Sequence, residues 1–287
     1  MNIGWIGAGK MGLPICQRLK AAGHSLVVLA RREEAAQKLR EAGLASKTEI
    51  ADICKNSEVV FSSISDDLAL LQIVNGVSQM KAGSTFIDIS TVSPAASAVT
   101  SEKLGALQIS YLRSPVSGST VMAQAGTLTA IISGPKSKFD ELAPIFEVFA
   151  KKTFYVGEGE EARYLKLVLN SMVAATAALL GEALAFGNKG GISNATMLDV
   201  ISQSVVASPL ISYKRDMIVN QDYNAAATLA MLAKDLDVML SVARENHTPL
   251  PVSANIRQIY EAAIAQGHSE KDFFVLVAEA GRLSGRD

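Results

Sequence analysis

The first twelve residues constrain this chain most. A short run, residues 2–6 (Asn-Ile-Gly-Trp-Ile), ends in Gly7-Ala8-Gly9-Lys10-Met11-Gly12 and passes at once into a helical pattern. Glycines at this spacing between a strand and a helix each have a mechanical use. The first permits the tight turn, the second lets backbone approach a pyrophosphate, and the third lets helix and strand pack closely, while free N–H groups at the helix start face the anion. Gly7, Ala8, Gly9, Lys10, Met11 and Gly12 therefore read as the phosphate-binding turn of a dinucleotide site opening a βαβ unit.

The residues that follow fit this start. Short β-branched runs at 2–6, 25–29, 58–61, 85–89, 108–111, 128–133 and 153–156 alternate with helical patterns at 11–22, 33–42, 67–75, 94–104 and 137–149, which predicts a sheet covered by helices on both faces. Beyond Gly157 no strand pattern remains and Ala, Leu and Met dominate. One long helix is expected over 160–189, then helices over 194–204, 210–219, 225–245, 251–266 and 271–283. The expected fold is an α/β Rossmann domain with a mostly parallel sheet (residues 1–158), followed by an all-α C-terminal domain (159–287) joined by the long helix. A length of 287 residues suits two such domains. Small residues along the long helix (Ser171, Ala174, Ala175, Ala177, Ala178) let another helix approach closely, so a homodimer or homotetramer is expected.

Composition removes several classes. With 49% hydrophobic residues, 19% charged and a net charge of -1, disorder and nucleic-acid binding are disfavoured. The weakly polar stretch 172–187 contains Glu182 and falls short of the roughly 20 apolar residues that cross a bilayer, so no membrane helix is expected. Residues 1–6 show no basic segment of a signal peptide, and the mature protein is expected to begin at Met1. Cys16 and Cys54 have neither metal nor disulfide spacing. His24, His247 and His268 are scattered, no metal is expected, and the compartment is read as cytoplasmic. Ser117 has no recognisable His and acid partners, which disfavours a hydrolase.

The second strand ends in Ala30-Arg31-Arg32, where an NAD enzyme would place an acid for the ribose hydroxyl. Arg31 and Arg32 suit a 2'-phosphate instead. NADP (NADPH) is the expected cofactor, with NAD the weaker alternative.

Further along, Asp88-Ile89-Ser90-Thr91 with Pro94, Pro115-Val116-Ser117-Gly118 leading to Gly126-Thr127-Leu128, Lys166 with Asn170, and Lys234-Asp235-Leu236 follow the glycine turn in order. Together these motifs resemble the β-hydroxyacid dehydrogenase family, which includes 3-hydroxyisobutyrate dehydrogenases, tartronate semialdehyde reductases and glyoxylate/succinic semialdehyde reductases. The resemblance spans nearly the whole chain and implies a role for each matching residue. Thr91 would lie beside the nicotinamide, Ile64 and Ser65 would line the cofactor groove, and Lys234 would approach the cofactor from the helical domain. Ser117 and Gly118, with Ser119, would hold a substrate carboxylate. Lys166 would be the catalytic acid/base, oriented by Asn170. The chain departs from common family patterns at Arg113, where an acid is usual, at Ser119, where a second glycine is usual, and at Glu160-Glu161-Ala162, where glycines usually approach the lysine. These departures, with a loop 119–122 lacking basic residues, bear on the substrate.

The lysine assignment also has a physical basis. Lys166 and Asn170 are four apart and share a helix face, and Leu165, Leu167, Val168 and Leu169 surround the lysine. Reducing a carbonyl requires a hydride and a proton. A lysine in such a setting can give the proton, and burial beside a cationic nicotinamide would lower its pKa for the reverse step. The expected function is NADPH-dependent interconversion of a small aldehyde or keto acid and its hydroxyacid. Two alternatives are reduction of imines or of carbonyls lacking a carboxylate, and a non-catalytic NADP-binding regulatory protein. Arg113, Arg163 and Tyr213 are the remaining candidates to reach a substrate carboxylate.

Overall fold

In the computed structural model, which describes residues 1–285, the opening run becomes strand β1 (Asn2–Ile6), buried at every residue after Asn2. Elements then alternate: α1 (Gly12–Ala21), β2 (Ser25–Leu29), α2 (Glu33–Glu41), β3 (Ala45–Lys47), α3 (Ile50–Cys54), β4 (Val59–Ser62), α4 (Asp67–Val77), β5 (Thr85–Asp88), α5 (Pro94–Gly105) and β6 (Ser110–Arg113). The unit continues with β7 (Val116–Ser117), α6 (Thr120–Ala125), β8 (Leu128–Ser133), α7 (Lys136–Glu147) and β9 (Ala150–Gly157). The strand order is β3-β2-β1-β4-β5-β6-β8-β7, with β9 on β8. From β3 to β6 every pairing is parallel, while β8 runs antiparallel to β6 and β7. The order reverses direction between β1 and β4, the place where such sheets open a crevice for a ligand.

Alternation along the strands feeds two separate cores, one on each face. Ile3, Trp5, Val59, Phe61, Ile87 and Leu112 pack with Ile15 and Leu19 of α1. Ile6, Val60, Phe86 and Tyr111 pack with Leu70, Ile73 and Leu104 of α4 and α5. Burying each large side chain contributes about 1.5–3 kcal/mol, and Trp5 stacks on Phe61 with centroids 5.0 Å apart. Side chains stop the strands and start the helices: Asp66 accepts from Ala69 N (2.8 Å), and Ser93 accepts from Ala96 N (3.1 Å) ahead of Pro94 at the first helical position.

The chain forms two compact units, divided between Lys166 and Leu167, inside the 29-residue helix α8 (Glu161–Lys189). The second unit adds α9 (Asn194–Ser202), α10 (Pro209–Asn220), α11 (Leu229–Glu245), α12 (Pro251–Ala265), a 3-10 turn (Phe273–Val275) and α13 (Leu276–Leu283). Its core gathers Ala174, Ala177, Leu180 and Leu184 of α8 with Leu198, Ile218, Leu232, Tyr260 and Phe274. Within it, Lys214 Nζ lies 2.5 Å from Asp272 Oδ2, both almost fully buried.

Four short elements escape the sequence patterns: β3, β7, α3 and α6. Helix α11 begins at Leu229 rather than 225, because Thr228 Oγ1 accepts from Met231 N (3.2 Å) and so fixes the start. By length and composition alone α8 is long and apolar enough to cross a bilayer, more than the stretch 172–187 suggested. Its Ala174, Ala177, Leu180 and Leu184 are nevertheless built into the helical core.

Candidate active site

Register places the strand ends in a row. Ile6 pairs with Ser62, Ser62 with Asp88, and Asp88 with Arg113, so the loops leaving β1, β4, β5 and β6 emerge side by side at the carboxyl edge of the sheet. Gly7 has φ +86°, and a Cβ there would lie 2.1 Å from the Ser63 carbonyl oxygen. At Gly12 a Cβ would lie 2.7 Å from both the Gly7 carbonyl oxygen and Trp5 Nε1. The positive φ at Gly7 suits the tight turn read from sequence, and the close contacts at Gly12 suit the close helix–strand packing read there. Gly9 faces open space, and no side chain caps the N-terminus of α1. A pyrophosphate can approach the backbone here without displacing a side chain, so the turn fits the dinucleotide it implies.

The neighbouring loops are tied to one another. Ile64 N donates to Ser90 Oγ (2.9 Å), and Ser65 Oγ donates to Asp66 Oδ2 (2.7 Å). Thr91, half-buried, follows Ser90 directly. Arg31 and Arg32 are exposed just beyond β2. The carboxylates next to them are engaged further along α2, Glu33 with Arg40 (2.5 Å) and Glu34 with Lys38 (2.9 Å).

A buried polar network sits beneath these loops. Asp88 Oδ1 accepts from Ser62 Oγ (2.5 Å) and Ser90 Oγ (2.6 Å), and Asp88 Oδ2 accepts from Arg163 Nη2 (2.6 Å). Arg163 also donates through Nη1 to the Ser90 carbonyl (2.7 Å), through Nη2 to Tyr111 Oη (2.7 Å) and through Nε to Ser97 Oγ (3.2 Å). Burial opposes the charge on Arg163, but Tyr111 and Asp88 outweigh it and raise the guanidinium pKa. Burial pushes the Tyr111 hydroxyl up to about 12, so it stays a neutral phenol. Arg113, stacked over the Tyr111 ring at 4.6 Å, is paired with Glu160. Neither guanidinium is therefore disposed toward a substrate carboxylate. Two departures noted in the sequence, a basic residue at Arg113 and an acidic one at Glu160, turn out to be partners. Tyr213 is half-exposed in the second unit beside Lys214.

Lys166 Nζ donates to the Val116 carbonyl (2.9 Å), which brings the lysine against the segment carrying Ser117 and Gly118. Gly118 has φ +137°, and a Cβ there would lie 2.7 Å from Leu128 Cδ2. Ser117 is half-buried, while Ser119 Oγ accepts from Met122 N (3.4 Å) and caps α6. Asn170, one turn beyond Lys166 on α8, donates through Nδ2 to Asp235 Oδ2 (2.5 Å) in the second unit. There Lys234 Nζ lies 2.9 Å from Asp235 Oδ1. The structure thus brings together Gly7, Ile64, Ser90, Arg163, Lys166 and Val116 within the first unit, and Asn170, Lys234 and Asp235 within the second. The partners that sequence reasoning missed are Arg163 for Asp88, Glu160 for Arg113 and Asp235 for Asn170. The one local signal was a lone acid, Asp88, ending an otherwise uncharged strand.

Comparison with known proteins agrees with this geometry. Residues 2–157 match the family model for the NAD binding domain of 6-phosphogluconate dehydrogenase, and residues 160–279 match that for the NAD-binding domain of NADP-dependent 3-hydroxyisobutyrate dehydrogenase. The chain is 26% identical over its whole length to a chloroplastic glyoxylate/succinic semialdehyde reductase 2 of Arabidopsis thaliana, covering 81% of that protein. It is 28% identical to a 2-(hydroxymethyl)glutarate dehydrogenase of Eubacterium barkeri, over 99% of this chain and 96% of that one. The crystal structure of a 3-hydroxyisobutyrate dehydrogenase from Salmonella typhimurium shares the fold, with TM-score 0.87 at 23% identity over 96% of this chain and 99% of the other. On these matches the chain belongs to the β-hydroxyacid dehydrogenase family of NAD(P)-dependent oxidoreductases.

Proposed function

We propose that this protein is an NADPH-dependent reductase that converts a small aldehyde or keto acid to its hydroxyacid, in the manner of a glyoxylate/succinic semialdehyde reductase or a 3-hydroxyisobutyrate dehydrogenase. The observation that carries this reading is Lys166 Nζ, held 2.9 Å from the carbonyl of Val116, the residue that precedes Ser117 and Gly118. When bound, the nicotinamide supplies or accepts the hydride. Lys166 gives a proton to the developing alkoxide, or takes one from the alcohol in reverse. Its bond to a carbonyl oxygen, a pure acceptor, keeps an N–H donor in place and aims the ammonium. Ser117 and Gly118 hold the substrate carboxylate, as the family resemblance implies, and Arg113 and Arg163 are paired with Glu160 and Asp88. Asn170, itself fixed by Asp235, orients the lysine or the substrate. Thr91, Ile64 and Ser65 would flank the bound cofactor, and the family resemblance implies a contact to it from Lys234.

Support for NADPH is electrostatic. Arg31 and Arg32 stand exposed where an acid would select NAD, their neighbouring carboxylates are engaged by other cations, and exposed Lys47 lies in register with Leu29. A second reading, reduction of an imine or a carbonyl lacking a carboxylate, is favoured by Val121 and Met122, apolar and exposed on α6. Steady-state NADPH and NADH oxidation on glyoxylate, succinic semialdehyde, short keto acids and cyclic imines separates the two. A semialdehyde acid reduced with NADPH supports the first; activity confined to imines or carboxylate-free carbonyls replaces it with the second.

We also propose a homodimer or homotetramer, supported by the exposed Met172, Leu179 and Phe186 of α8, and a cytoplasmic location, supported by two buried free thiols. Light scattering that gives a monomer mass, or fractionation that places the protein elsewhere, removes these.

A further inference from the structure

We infer that Arg163 is a positioning residue that sets the pose of both Lys166 and the loop carrying Thr91, acting through its buried pair with Asp88. The inference rests on the reading of Lys166 as the acid/base group. Arg163 has no exposed side-chain surface, so it meets neither substrate nor cofactor. What it does meet is arranged around the reacting groups. Its Nη1 grips the Ser90 carbonyl (2.7 Å), the peptide that leads into Thr91. Its Nη2 binds Asp88 Oδ2 (2.6 Å), and the other oxygen of Asp88 takes the hydroxyls of Ser62 and Ser90. Ser90 Oγ in turn accepts from Ile64 N, so the β4 loop is drawn into the same network. Nε and Nη2 complete the set on Ser97 of α5 and Tyr111 of β6.

One planar fork therefore ties the first turn of α8 to the end of β5, to β6 and to α5, with β4 joined through Asp88. Lys166 stands three residues along the same helix. Any rotation or slide of that turn displaces Lys166 Nζ from the Val116 carbonyl while moving the Ser90–Thr91 peptide, so a single side chain couples the position of the proton donor to the wall proposed to flank the nicotinamide. An ammonium cannot reproduce this geometry, since it lacks the planar fork that serves four acceptors in fixed directions.

The test compares wild type, Arg163→Lys and Lys166→Ala with NADPH and the best carbonyl acid from the panel above. Folding is followed by near-ultraviolet circular dichroism and thermal melting. The expected result for folded Arg163→Lys is a fall in kcat of roughly 10-fold or more, as for a misplaced catalytic group. KM for the carbonyl should stay within about threefold, and the limb of the kcat–pH profile that reports the acid group should move. A purely structural role would lower the melting temperature and leave kcat per folded molecule and the pH profile as they are, which overturns the inference. If Arg163→Lys does not fold, Tyr111→Phe removes one acceptor without touching a charge. The inference then requires a smaller kcat loss of about 2- to 5-fold at constant KM, and unchanged kcat overturns it. If Lys166→Ala keeps full turnover, or if no carbonyl is reduced at all, the proposed function itself fails and the inference with it. If Lys166→Ala is inactive while Arg163→Lys matches wild type, only the positioning role is lost.

Discussion

Asn170 Nδ2 donates to Asp235 Oδ2 at 2.5 Å, joining two helices of the second unit across 65 positions of sequence. Asp235 is buried on α11, and its other oxygen faces Lys234 Nζ at 2.9 Å. With both amide hydrogens on one atom, this bond fixes which way Asn170 presents its carbonyl oxygen. Asp235→Ala frees the amide and removes a hydrogen bond to a charged group, an effect of about 1.5–3 kcal/mol where it is expressed fully. The expected outcome is a kcat reduced roughly 10-fold, measured at saturating NADPH. Wild-type kcat in this variant would remove Asn170 from the chemistry.

Arg31→Ala with Arg32→Ala tests the cofactor assignment. Each charge-assisted contact to a 2'-phosphate contributes about 1.5–3 kcal/mol, so KM for NADPH rises at least about 10-fold. KM for NADH, which has no 2'-phosphate, stays near its starting value. Equal losses for the two cofactors would mean that these arginines do not read the phosphate.

The buried Lys214–Asp272 pair governs stability rather than turnover. Asp272 also accepts from Phe274 N (3.1 Å), while the Lys214 ammonium sits between aromatic rings, 5.2 Å from the centroid of Phe273. Lys214→Met strands the buried carboxylate and is expected to cost about 3–5 kcal/mol. Urea denaturation of the helical unit measures this, and a loss under about 1 kcal/mol would class the pair with ordinary surface bridges.

Glu279 supplies a pH signature. Burial acts to raise its pKa, but hydrogen bonds from Arg282 and from His268, whose Nε2 is 2.7 Å away, outweigh it and hold the carboxyl below its ordinary range. A folded-state pKa that is depressed adds stability above the unfolded value, roughly 4.3, and loses it as pH falls through the folded value. Glu279→Gln therefore lowers the urea midpoint at pH 7. The gap to wild type narrows as pH drops below about 4; a gap independent of pH would show that the charge of Glu279 contributes nothing.

Much of the fold is written locally. The strand-turn-helix opening, the alternation through β9 and the change of character after Gly157 all follow from periodicity and glycine, since each strand and helix buries its own face. β3 shows why some elements were hidden: Ala45–Lys47 is a three-residue edge strand with no buried position, so it carries no apolar pattern, and its identity comes from pairing with β2. β7, with two residues, and α6, with six, are also short and are set by their neighbours. In the site, the glycine turn and the Lys166–Asn170 spacing were legible because loop geometry and helical pitch are local. The pairs Asp88–Arg163, Arg113–Glu160 and Asn170–Asp235 are not, for each joins residues 47 to 75 positions apart. Only the packed chain reveals that Arg163, a candidate for the substrate, is already spent on Asp88.

The most direct test of the account is single-turnover and steady-state NADPH oxidation by Lys166→Ala beside wild type on the semialdehyde acid that wild type reduces best. Cofactor binding is followed in parallel by quenching of the sole tryptophan, Trp5, which lies under the glycine turn. The account predicts unchanged NADPH affinity and a turnover lower by roughly 10²-fold or more, as for a lost acid/base group. Equal turnover in the two proteins would contradict it and assign the proton to another donor.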